Sequence, residues 1–154
     1  MILLLIIFLI FLDQLSKYLV RAGFEVGESI PIFKDIFYIT HAENKGVAFN
    51  LFTGVEPVVK YLPLVFLIIC AIILIYTKKK KYPLVPTSLM LILSGGAGNL
   101  IDRFCFGKVT DMFDFKIFPI FNVADIYVTV GIFLLIIYLI FFEKKNKKDE
   151  STIE

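Results

Sequence analysis

The chain has no tryptophan, a single histidine (His41) and only two cysteines, Cys70 and Cys105. One histidine and no C-x-x-C pair leave no ligand set for a structural or catalytic zinc ion, and no metal or other cofactor is expected. The same shortage disfavours a nucleophilic triad, because no serine or cysteine has a histidine partner in a comparable sequence context. Cys70 falls within a long apolar run and Cys105 near the end of another. They read as two packing thiols and not as a disulfide framework. Without tryptophan, any aromatic belt at a membrane surface must come from tyrosine and phenylalanine. Charge is scarce too: Asp, Glu, Lys and Arg make up 19% of the residues. That is too little, and too unevenly spread, for a soluble domain of this size. Internal repeats and low-complexity linkers are also missing.

What is abundant is apolar sequence, 58% of the chain. Four runs suit a membrane crossing of about 20 residues: about 1–20, 58–76, 84–104 and 122–142. The first is uninterrupted only from Met1 to Leu12, so it crosses only if its helix continues through Asp13, Gln14, Ser16 and Lys17. A cleaved signal peptide is the alternative for that run. It is disfavoured because no basic region precedes the run and no small-x-small site follows it. The expected fold is therefore an α-helical integral membrane protein with four transmembrane helices, one membrane-embedded domain over 1–154.

The lysines set the orientation. Lys78–Lys81 join the second and third spans, and Lys144, Lys145, Lys147 and Lys148 follow the fourth. Both clusters abut a span, which marks them as cytoplasmic signals and not as nucleic-acid patches. Both termini then lie inside, with a polar tail over 143–154, and the segments 21–57 and 105–121 lie outside. The stretch Ile30–Phe52 is rich in Ile, Phe, Tyr, Val and Thr and is broken by Pro31 and Gly46. It predicts a small β-structure resting on the outer face, between helices one and two, with Phe33, Phe37, Tyr38, Phe49 and Phe52 at the interface.

On this topology the polar residues in and near the spans collect on one side of the membrane. Asp13 and Lys17, spaced i,i+4, lie toward the outer end of span one. Asn99, Asp102 and Arg103 share a face at the outer end of span three. Asp111 follows in the outer loop, and Asn122 and Asp125 open span four. A charge at the bilayer centre costs roughly 2.5–3.5 kcal/mol, so such a group needs pairing or a function. Each piece has a plainer reading. Asp13 and Lys17 can be an intrahelical pair, Asp102 and Arg103 a charge pair ending a helix, and Asn122 and Asp125 a cap and a dipole partner. Gly95, Gly96 and Gly98 read as close helix packing and not as a phosphate loop. The plainer readings must all coincide on one side to explain the pattern.

Two carboxylates without a metal can hydrolyse a peptide bond through an activated water, one ionised and one protonated. Asp111 and Asp125 are the candidates. Asp114, three residues beyond Asp111, is a decoy that spacing alone does not remove. Asn99 and Asn122 can orient carboxylates through their amides, and Arg103 and Lys17 can balance charge.

The set Asp13-Gln14-x-x-Lys17, Asn44-x-Gly46-x-Ala48-Phe49, Gly95-Gly96-Ala97-Gly98-Asn99-x-x-Asp102-Arg103, Val109-x-Asp111 and Phe121-Asn122-x-Ala124-Asp125 resembles the lipoprotein signal peptidase family, also called signal peptidase II. The resemblance runs from span one to span four, and the order of its five motifs makes it specific. It implies a four-helix aspartyl protease of the bacterial inner membrane with an outer β-cradle. The implied substrate is a prolipoprotein carrying diacylglycerol on a cysteine, cut on the N-terminal side of that cysteine. By motif match the catalytic dyad falls on Asp111 and Asp125, and Asp114 is set aside. Asp13, Lys17, Asn44, Gly46, Asn99, Arg103 and Asn122 fall on positions that support or shape the site. The implied partners are the lipidated substrate, membrane lipid and globomycin-type inhibitors; no nucleic acid is implied, and a monomer is expected. Two rivals remain on chemistry alone. A proton-coupled transporter predicts polar residues across the midplane and repeated halves. A non-catalytic scaffold predicts that Asp111 and Asp125 are replaceable.

Overall fold

A computed structural model of the protein describes residues 1–46, 55–77 and 84–142. Ala48, Phe49, Phe52, both lysine clusters and the polar tail lie outside the described residues. The elements run α1 (Ile2–Gly23), β1 (Ser29–Phe33), β2 (Phe37–Asn44), α2 (Glu56–Thr77), α3 (Leu84–Phe106), β3 (Val109–Asp114) and α4 (Val123–Ile137). A π-helical turn, Tyr138–Phe142, extends α4. Each of the four helical segments is long and apolar enough to cross a membrane. The chain is a multi-pass membrane protein, as its apolar runs predict.

Helix α1 is continuous through Asp13 and Lys17 and ends where the Phe24 N–H caps the Val20 carbonyl. Helix α3 is central and packs against α1, α2 and α4. Its glycines make this possible. A Cβ at Gly95 would collide with the Ala124 carbonyl oxygen of α4, and one at Gly98 with the Asp13 carboxylate of α1. On the other side, Leu89, Ile92 and Leu100 of α3 meet Leu67, Cys70 and Leu74 of α2 in the apolar core. Outward-facing residues such as Leu4, Phe11, Ile69 and Phe133 stay exposed. This suits helices solvated by lipid, where apolar side chains need no protein partner. Cys70 is buried, as a packing thiol should be, but Cys105 is exposed on α3 and packs in no core.

The strands form one antiparallel sheet in the order β1-β2-β3. The hairpin β1-β2 lies where the β-rich composition places it. The third strand differs from the sequence reading: residues 109–114, read as outer loop, pair with β2 and carry Asp111 on a strand. Its three branched or aromatic residues, Val109, Thr110 and Phe113, do not alternate and stand among two aspartates, so the strand signature is weak and pairing with β2 decides its conformation. The pairs Tyr38↔Asp114 and Ile39↔Phe113 give way to Ala42↔Asp111 and Asn44↔Val109. One extra residue on β2 is absorbed between Ile39 and Ala42, a bulge that switches which β2 residues share a face with Asp111.

Candidate active site

Three connections bring the site together at one end of the helix bundle. Helix α3 ends at Gly107, whose φ of 72° lets the chain reverse into β3. Strand β3 then places Asp111 on the face shared with Val109 and Phe113, and Asp114 on the opposite face. After β3 the chain loops out and returns. Phe121 bridges back to Phe113, and its carbonyl accepts the N–H groups of Met112 (2.9 Å) and Phe113 (2.8 Å). That closure sets Asn122, the N-cap of α4, beside Asp111. Asn122 and Asp125 form a capping box: the Asp125 N–H donates to Asn122 Oδ1, and Asp125 Oδ2 accepts the Asn122 N–H. The plainer reading of these two residues as helix-start partners is thus correct as far as it goes, and they do more.

Buried Asn122 links the two carboxylates, through its side chain to Asp111 and through its backbone N–H and Asn99 to Asp125. Its Nδ2 donates to Asp111 Oδ1 at 2.6 Å and to Asn99 Oδ1 at 3.1 Å. Asn99 Nδ2 in turn donates to Asp125 Oδ1 at 2.8 Å. Asn44, brought to the correct face by the β2 bulge, donates to Asp111 Oδ2 at 3.1 Å. Its own Oδ1 accepts the Gly46 N–H at 2.9 Å. Arg103 Nη2 donates to the Gly46 carbonyl at 2.9 Å, while its buried Nε has no partner among the described residues.

Behind this layer lies a second one made of charge. Lys17 is fully buried, and its Nζ contacts Asn99 Oδ1 (2.8 Å), Asp13 Oδ2 (2.9 Å) and Asp102 Oδ2 (3.5 Å). Asp13 Oδ1 accepts the Ala124 N–H at 2.9 Å, which ties α1 to the first turn of α4. The intrahelical Asp13–Lys17 pair therefore exists and also reaches the two neighbouring helices. Asp102 and Arg103 do not pair as a helix end: they diverge, Asp102 to Lys17, Arg21 and Thr110, and Arg103 to Gly46.

All nine residues singled out from the sequence gather here. Asp111, Asp125, Asn44, Asn99, Arg103 and Asn122 line one cavity of about 600 Å³, while Asp13, Lys17 and Gly46 sit behind or beside it. Asp114 turns away, to Thr40 Oγ1 (3.1 Å) and Lys116 Nζ (2.6 Å). Burial raises its carboxyl, but the hydrogen bonds from Lys116 and Thr40 together hold it below the usual value. Asp111 is moved the other way. Loss of solvent and the nearby Asp125 push its carboxyl up to about 7, against the opposing amide bonds from Asn44 and Asn122. Among the described residues, no three His, Cys, Asp or Glu side chains are grouped to hold a metal ion. Asp102 was placed in the polar cluster without a role in the site, and Arg21 was missed. Arg21 continues the i,i+4 series Asp13, Lys17, Arg21, a signal that places it on the same face of α1.

A family model described as signal peptidase (SPase) II matches residues 5–141. The chain belongs to the signal peptidase II family. Membership makes it a peptidase. It is 43% identical over 141 residues to the lipoprotein signal peptidase of Halothermothrix orenii, covering 90% of this chain and 94% of that one. It is 38% identical over 133 residues to that of Moorella thermoacetica, covering 86% and 88%. Among solved structures it resembles a bacterial membrane enzyme determined by the in meso method at 2.3 Å, with a TM-score of 0.77 and 31% identity, covering 90% of this chain and 86% of that one. The matched span, residues 5–141, contains the residues that line the cavity.

Proposed function

We propose that the chain is a membrane aspartic endopeptidase that removes signal peptides from diacylglyceryl-modified prolipoproteins, cutting N-terminal to the lipidated cysteine. The observation that carries this reading is that Asn122 holds both carboxyls at the wall of one cavity, its Nδ2 donating to Asp111 Oδ1 and its backbone N–H to Asp125 Oδ2. Two carboxyls facing one space share a proton, because both cannot ionise easily at short range. Asp111, largely buried, holds that proton near neutrality. Asp125, at the N-terminus of α4, takes the charged role, where the helix dipole favours an anion.

The chemistry follows from that split. Asp125 accepts a proton from water as the water oxygen attacks the scissile carbonyl carbon, and Asp111 donates its proton to the carbonyl oxygen. The tetrahedral intermediate collapses when Asp125 passes its proton to the leaving nitrogen and Asp111 recovers the one it gave. The products are the signal peptide's new carboxyl terminus and the amine of the lipidated cysteine. Arg103 Nε, buried without an acceptor among the described residues, is the donor offered to a substrate backbone carbonyl.

The setting supports a membrane-borne substrate. The cavity is polar at the dyad and apolar along Phe66, Leu67, Ile92 and Val128 of the surrounding helices. An apolar signal helix and acyl chains remain in such surroundings while the scissile bond reaches the carboxylates. The buried charges gather at one end of the bundle, which favours a peptidase at a membrane surface over a transporter across the midplane. On the lysine rule that end faces outward from the bacterial inner membrane, with both termini cytoplasmic. Globomycin-type peptides would compete for the same cavity, and the reading needs only a monomer and one domain.

Cleavage of a purified diacylglyceryl-modified prolipoprotein tests the proposal. Asp111→Asn and Asp125→Asn should fold and lose cleavage, while Asp114→Asn keeps most of it. Persistent cleavage by either dyad variant would end the two-carboxylate mechanism.

A further inference from the structure

The second layer of charge contains a residue with no assigned role, and it touches the routes to both catalytic carboxyls. Asp102 is fully buried near the C-terminal end of α3. Its Oδ2 accepts the backbone N–H of Thr110, the residue just before Asp111, at 3.0 Å. The same oxygen faces Lys17 Nζ at 3.5 Å. Lys17 holds Asn99 Oδ1, and the Asn99 amide donates to Asp125. The other oxygen, Oδ1, faces Arg21 Nη1 at 3.4 Å. Arg21 Nη1 also donates to Thr110 Oγ1 at 3.1 Å, and the guanidinium lies over the Phe106 ring at 4.5 Å.

We propose that Asp102 is a positioning residue for the dyad, holding the β3 backbone next to Asp111 and the ammonium that orients the amide on Asp125. The inference rests on the dyad reading above and goes beyond it. Thr110 alternates with Asp111 along β3, so anchoring Thr110 toward α1 and α3 aims Asp111 into the cavity. A clamp on that backbone N–H alone needs only an acceptor, and an asparagine would serve. The carboxylate is required because two cations face it. Asp13 and Asp102 together balance Lys17 and Arg21 in a space where an uncompensated charge is expensive. Removing the charge of Asp102 leaves Lys17 and Arg21 in excess. Asp111 is faced by Asp125 of α4, Asn44 of β2, Asn122 at the α4 cap, Arg103 of α3 and Lys17 of α1. An excess of positive charge among these favours the ionised form of the dyad.

This makes the role separable from a merely structural one. Asp102→Asn keeps an acceptor for Thr110 and loses the charge. With a diacylglyceryl-modified prolipoprotein as substrate, kcat should fall by about 10- to 100-fold, because Lys17 and Arg21 lose a buried charge partner and Asn99 is held less firmly, with KM little changed. The alkaline limb of its pH–rate profile should move to lower pH. Arg21→Gln removes a cation from a partly exposed position and should move that limb to higher pH, with a smaller fall in kcat. An Asp102→Asn enzyme within roughly twofold of wild type overturns the inference. So does a loss of kcat with neither limb displaced, which would mean that the substitution disturbs packing and not the charge around the dyad. Should Asp102→Asn fail to fold, the Arg21→Gln limb decides by itself: displaced upward it supports the inference, and unmoved it overturns it. Asp111→Asn, run alongside, separates the two readings. Activity retained there removes the dyad and this inference with it, whereas an inactive Asp111→Asn leaves the Asp102 outcome to stand alone.

Discussion

Burial and the neighbouring Asp125 lift the Asp111 carboxyl from 3.8 to about 7, and two measurable pH effects follow. As the acid of the pair, Asp111 must be protonated, so cleavage should fall by about tenfold per unit as pH rises past about 7. Folding should respond as well. Between the unfolded value of 3.8 and the folded value of about 7, the folded state binds a proton that the unfolded state has released. The contribution of Asp111 to stability is therefore fully present below 3.8 and is lost as pH rises toward about 7. Thermal melts in detergent across that window should show the decline, and Asp111→Asn should flatten it. The residues gathered at the cavity were largely legible in the sequence: the five motifs contain Asp111, Asp125 and the amide and cationic side chains around them. What spacing left open was Asp111 against Asp114. Three residues apart share a face on a helix and oppose each other on a strand. Only the conformation of β3 sends one to the cavity and the other to Lys116 and Thr40.

At the scale of elements, the helices were legible because apolar length alone defines them, and the third strand was not. Its pairing partner lies some 70 positions earlier in the chain (Asn44 faces Val109, for instance), and the β2 bulge that fixes the register has no local signature. The glycines of α3 were read correctly as packing residues. Gly98→Ala should drive a methyl group into the Asp13 carboxylate and destabilise the protein by about 1–3 kcal/mol, seen as a lower melting temperature. The start of α4 does two jobs that one substitution can separate. Serine at an N-cap still accepts the first-turn N–H, so Asn122→Ser should leave stability nearly unchanged. It lacks the amide donors to Asp111 and Asn99, and cleavage should fall about 10- to 100-fold. Equal losses of melting temperature and activity would instead mean that the cap alone matters.

For the molecule as a whole, the proposed orientation places the β1-β2 hairpin outside and the tail inside. In a variant whose native cysteines are replaced, a cysteine at Lys34 should react with a membrane-impermeant maleimide in intact cells. One at Lys147 should react only after permeabilisation. The reverse pattern would invert the topology and put the dyad on the cytoplasmic side.

Among the described residues, helices α2 and α4 each pack along α3 and scarcely on each other, and all three line the cavity, so the proposed membrane-borne substrate would enter from the side, between α2 and α4. A substrate entering by that side searches a plane and not a volume. Its encounter rate is then governed by the number of substrate molecules per unit area of bilayer. Adding inert lipid at constant amounts of enzyme and substrate should slow cleavage in proportion, although no concentration in the aqueous phase has changed.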